Sequence, residues 1–200
     1  MESKATSIYI ESTPNPNTMK FVANYMLVQP NFFHDFTSYA QTNSSPLAKL
    51  LFENFSWVKE IFFSSNYITL TKKDNTDWIE VQGAARELIT KALTKGVEVG
   101  EMVSDFYEKK EPKSEKAPVN AEDEEIVAKI KGILDEYIKP AVEQDGGAIS
   151  FHSFDKGLVK VLLQGSCSGC PSSTITLKAG IETLLKRAIP EVETVEALDA

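Results

Sequence analysis

The chain of 200 residues, 42% hydrophobic and 25% charged, has an ordinary globular composition with room for one or two compact domains. Its net charge of −8 speaks against bulk binding to nucleic acid or anionic membranes, which needs clustered Lys and Arg, and no run approaches the ~18 apolar residues of a membrane span. No apolar or Arg-rich leader follows Met1, so the expected location is the cytoplasm.

In chain order, Ile8-Tyr9-Ile10 reads as a strand, and Thr13-Pro14-Asn15-Pro16-Asn17 as the turn that brings back Lys20 to Ala23 as its partner. Phe32, Phe33, Phe36 and Tyr39 fall at helical spacing and read as core. Ser45-Pro46 has the form of an N-cap and first helical residue, followed by Leu47, Leu50, Leu51 and Phe55 at helical spacing. Val58 to Phe63 and Tyr67 to Lys72 flank a hairpin turn at Ser64-Ser65-Asn66. From Trp78, the positions Ile79, Ala85, Leu88, Ile89, Ala92 and Leu93 make an amphipathic helix stopped by Gly96. Trp57 and Trp78 read as packing residues. The order β-β-α thus occurs twice.

Residues 108–122 hold two prolines, eight charged residues and almost nothing to bury, the composition of a flexible tether. The expected organisation is therefore a first domain over 1–107, a linker over 108–122 and a second domain over 123–200, both domains small and of the α+β class. In the second, Ile126, Ile130, Ile133, Leu134, Tyr137 and Ile138 form one helical face that Pro140 should end. Asp145-Gly146-Gly147 reads as a tight turn whose glycines supply positive φ. Strands follow around Ile149 and Phe151 and from Leu158 to Leu163, joined at Asp155-Lys156-Gly157. Then come the loop Gly165–Pro171, a helix marked by Leu177, Ile181, Leu184, Leu185 and Ala188, and a short strand through Val192, Val195 and Leu198. The order is α-β-β-α-β.

The chain has only two cysteines, Cys167 and Cys170, in one Cys-x-x-Cys between a strand and a helix start. Pro171 suits a first helical turn, and Ser172, Ser173 and Thr174 can cap it. Such a helix aims free N–H groups at the thiols and favours thiolate, so the spacing predicts a shallow, accessible pair of soft ligands. Residue types alone leave three chemistries open. A dithiol oxidoreductase also carries Cys-x-x-Cys at a helix start, although that motif belongs to a βαβ context and a hairpin precedes it here. A zinc site needs about four ligands, which one chain closes only with its two histidines, His34 and His152, or with carboxylates. An iron–sulfur cluster takes four thiolates, which two chains supply together. A Cys-x5-Arg phosphate loop is excluded, because Ser173 and Thr176 stand at the sixth positions.

Gly165-Ser-Cys-Ser-Gly-Cys-Pro-Ser-Ser-Thr174, with Thr176-Leu-Lys-Ala-Gly-Ile-Glu182 and Ile189-Pro-Glu-Val192, resembles the C-terminal NifU-like domain of the Nfu iron–sulfur proteins. Asp145-Gly146-Gly147 is similar to another of its motifs, although Ala148 stands where relatives often have an acidic or amide residue. Glu11-Ser-Thr-Pro-Asn-Pro-Asn-Thr-Met-Lys-Phe21 and Ser45-Pro-Leu-Ala48 resemble the Nfu N-terminal domain. The resemblance implies a non-enzymatic scaffold or carrier whose Cys167 and Cys170 bind a [4Fe–4S] cluster shared in a cluster-bridged homodimer. It also implies upstream assembly proteins as donors and apo iron–sulfur proteins as recipients. Mitochondrial relatives carry a leader, so its absence implies a bacterial cytoplasmic protein.

Overall fold

In a computed structural model, the structure describes residues 5–29, 32–100, 121–168 and 171–199, with two compact units divided at Met102 and Val103. Residues 101–120, which include most of the expected tether, lie outside the described residues.

The first unit contains β1 (Ile8–Ser12), β2 (Thr18–Ala23), β3 (Phe33–Phe36), α1 (Pro46–Asn54), β4 (Val58–Ser64), β5 (Tyr67–Lys72) and α2 (Trp78–Thr94). A short 3-10 turn, Tyr39–Ser44, precedes α1. The five strands pair antiparallel in the order β1-β2-β5-β4-β3. Apolar residues alternate along β2, β4 and β5 so that Phe21, Ile61, Phe63, Ile68 and Leu70 join Leu47, Leu51 and Ile89 of the helices in one core. Ser45 caps α1, accepting from the Ala48 N–H at 3.1 Å with Pro46 in the first turn, and Asp77 caps α2 by accepting from the Ile79 N–H at 2.9 Å. The Trp78 indole N–H donates to the Pro16 carbonyl at 3.1 Å, and its ring meets Trp57 edge-on at 5.5 Å.

One strand more is present than the two β-β-α repeats require. Phe33 to Phe36 form an edge strand on β4, with Phe33 opposite Ser64 and Phe36 opposite Ile61. A spacing of three puts two residues on one side of a helix but on opposite sides of a strand. Here Phe36 enters the core against Phe63 at 5.8 Å, while Phe33 meets Phe62 on the other face at 5.7 Å. Tyr39 is exposed rather than core, and its hydroxyl donates to Glu53 at 2.8 Å.

The second unit contains α3 (Ala121–Ile133), a π-helical turn (Leu134–Ile138), α4 (Lys139–Gln144), β6 (Gly147–Asp155), β7 (Leu158–Gly165), α5 (Pro171–Ala188) and β8 (Thr194–Asp199). Ala121 and Glu122, at the end of the expected tether, already belong to α3. The helix does not stop at Pro140. The Lys139 N–H reaches back five residues to the Leu134 carbonyl, and this wider turn puts Pro140 in the first turn of α4, where its missing N–H costs nothing.

β6 and β7 are antiparallel across a two-residue turn in which Lys156 and Gly157 both have positive φ, +46° and +83°. β7 and β8 are parallel, so α5 supplies the crossover between them. Ile130, Val142, Ile149, Val159, Val161, Leu163, Ile181 and Val195 form the core.

Glu182 ties α5 to β8. Its carboxylate accepts from Lys186 at 2.6 Å, from the Val195 N–H at 3.0 Å and from the Thr194 hydroxyl at 3.2 Å. These donors, Lys186 foremost, hold the carboxyl at about 2 instead of 4.5. Because the unfolded chain takes up this proton first, the stability Glu182 contributes is intact above about pH 4.5 and lost as pH falls towards about 2. Glu182→Gln is expected to lower the thermal midpoint at neutral pH and flatten its fall over that acid window. An unchanged acid slope would remove this role.

Candidate metal centre

The cysteine loop lies between the last residue of β7 and the first of α5. Gly165 ends β7 at φ +65°, which lets the chain turn out of the sheet, and the Ser168 N–H closes a turn onto the Gly165 carbonyl at 3.2 Å. α5 starts at Pro171, as the capping signals predict, but the side chains of residues 171–174 and all of Cys170 lie outside the described residues.

Cys167 is not the accessible ligand that the spacing predicts. It is 4% exposed and packs with the core of the second unit. Its burial has a local cause that sequence reading misses. Gly147, at the head of β6, stands opposite Gly165 in the ladder. A Cβ built on Gly147 would lie 2.8 Å from the Cys167 Sγ and 2.7 Å from the Gln164 carbonyl oxygen, so the sulfur occupies the space a side chain would take.

The helix-to-strand turn and the cysteine loop are also tied by hydrogen bonds. The Ser166 N–H donates to the Gly146 carbonyl at 3.3 Å, and the Ser166 hydroxyl donates to the Asp145 carbonyl. Of the paired glycines, Gly146 has the expected positive φ, +83°. Gly147 serves close approach instead. The sequence signal for that role was present in the glycine pair, but its partner stands twenty residues away.

The two histidines lie on strands of different units. His152 lies in β6 beside a bulge, with Nδ1 3.1 Å from the Ser153 hydroxyl. His34 belongs to β3 of the first unit, where burial lowers its pKa. Among the described residues, no three His, Cys, Asp or Glu side chains gather in a metal-binding group. No helix among them is long and apolar enough to cross a membrane.

Fold and loop together define a small α-β-β-α-β domain with a Cys-x-x-Cys motif at a strand-to-helix junction, following a separate antiparallel α+β unit in the chain. Two family models match these units. Residues 8–96 match the scaffold protein Nfu/NifU N terminal family, and residues 130–196 match the NifU-like domain. A mitochondrial NFU1 iron–sulfur cluster scaffold homolog of Drosophila willistoni is 39% identical over 98% of this chain and 65% of its own length. A homolog of the same name in Drosophila grimshawi is 40% identical over 94% of this chain and 60% of its own. The solution structure of a NifU-like protein from Saccharomyces cerevisiae is 25% identical, with a TM-score of 0.44, over 52% of this chain and 92% of that one.

The chain belongs to the Nfu family and carries both of its domains. It spans less than two thirds of the length of these curated relatives. Their naming as mitochondrial proteins overturns the expectation of a bacterial cytoplasmic location.

Proposed function

We propose that this chain is an iron–sulfur cluster scaffold or carrier in which Cys167 and Cys170 of two copies hold one [4Fe–4S] cluster for delivery to apo-proteins. The observation that carries the reading is the donor count. A chain with only two cysteines places both in one strand-to-helix loop, which is half of a four-thiolate set. A two-fold pair completes the set at a subunit interface, on ligands that separate when the pair opens.

Delivery is ligand exchange. Each thiolate of Cys167 or Cys170 leaves iron as a recipient thiolate takes its place, with no net change of oxidation state and no general acid or base towards an organic substrate. The names of the relatives and the match to the NifU-like domain support this reading. The first unit would contact upstream donors and recipients. A tether within residues 108–120 would raise the effective concentration of the cysteine loop near a bound recipient.

Dithiol chemistry, like cluster binding, requires buried Cys167 to become accessible, so the two readings are separated by what the loaded chain contains. The test is anaerobic reconstitution of the chain with iron and sulfide, read by visible spectrum, iron per chain and oligomeric state. A brown dimer with about two irons per chain is expected. A loaded species consisting of one chain with no external thiol, or a colourless monomer that reduces disulfides, would overturn the proposal.

A further inference from the structure

Gly147 stands out among the glycines of the second unit. Gly146, Gly157 and Gly165 have positive φ, and their backbone conformation explains them. Gly147 is not among these, so its lack of a side chain answers a need for space. That space is filled by Cys167, whose Sγ and Cβ lie 2.8 and 3.2 Å from where a Cβ would stand. The other close atom, the Gln164 carbonyl oxygen, belongs to the β6–β7 ladder, where Ala148 pairs with Gln164. A side chain at position 147 therefore crowds both, and while the ladder carbonyl gives only slightly, Cys167 lies in a loop outside the ladder and can move away. Ser166, 2% exposed, bonds back to Asp145 and Gly146, and its hydroxyl lies 3.9 Å from the Cys167 sulfur.

We infer that Gly147 is a positioning residue, the floor of a seat that holds the Cys167 sulfur inside the unit, with Ser166 as its latch. Access of Cys167 to a metal ion or an alkylating reagent is then set by how readily the sulfur leaves this seat. With Cys167 only 4% exposed, its sulfur reaches a centre shared with a second chain by leaving this seat, so assembly and release of such a centre pass through the unseated loop. That last step rests on the cluster reading proposed above, whereas the seat does not.

The test uses the full chain carrying Cys170→Ser, so that Cys167 is the single thiol, labelled with iodoacetamide under native conditions and in urea. Native labelling is expected to be at least about tenfold slower than in urea. Adding Gly147→Ala should speed native labelling about tenfold with far-UV circular dichroism retained, and Ser166→Ala should speed it several-fold. Gly180→Ala, where a Cβ meets nothing within 4 Å, should leave the rate unchanged. If Gly147→Ala does not fold, Ser166→Ala decides.

Native labelling of the parent at the urea rate overturns the seat, as does a parental rate in both folded variants. Reconstitution of the two-cysteine chain separates the two proposals. Slow labelling without cluster uptake leaves the seat and removes the cluster reading, and uptake with fast labelling does the reverse.

Discussion

Ile181→Ala is expected to destabilise the second unit by about 3 kcal/mol, whereas Ile175→Ala, six residues earlier on the same helix, changes stability by no more than about 0.5 kcal/mol. Ile181 is fully buried in the core of that unit, and Ile175 is 70% exposed. Truncating Ile181 removes three carbons from a close-packed site and leaves a cavity that the fixed sheet beneath α5 cannot collapse into.

A unit of this size is stable by only about 4–12 kcal/mol, so the loss is a large share of the total. At position 175 the gain in helix propensity on going to Ala offsets what little burial is lost. Urea unfolding followed by far-UV circular dichroism checks the pair. Tryptophan fluorescence supplies an internal control, because Trp57 and Trp78 both pack against the core of the first unit. Equal midpoints for the two variants would place α5 differently from the fold described.

The features that the sequence disclosed were those with a local cause. Ser45-Pro46 starts α1 through its own side chains, Lys156-Gly157 turns a hairpin through its own φ angles, and Pro171 opens α5. What it hid was decided by partners far along the chain. The Phe33 and Phe36 spacing fits a helix until β4 offers an edge to pair with. Pro140 reads as a helix end until a single wide turn relieves its clash. The cysteine motif by itself left dithiol, zinc and iron–sulfur chemistry open, and the burial of Cys167 depends on Gly147, to which no local rule links it.

Cys167→Ser and Cys170→Ser are each expected to cut iron retained after desalting by at least about tenfold relative to the parent chain. Either change leaves a pair of chains with two thiolates where a four-iron cluster takes four, and a serine hydroxyl is a hard, protonated donor at neutral pH. The two variants should differ without iron. The Cys167 sulfur is packed in the core over Gly147 and behaves as a small hydrophobe, so placing a hydroxyl there is expected to cost the second unit about 1 kcal/mol. Cys167→Ala should fail equally in iron retention while avoiding the cost of desolvating a hydroxyl, which separates ligand loss from misfolding. Iron assay, visible absorbance and thermal unfolding of the three variants read both effects. Full retention of iron and colour by both serine variants would show that the ligands lie elsewhere in the chain.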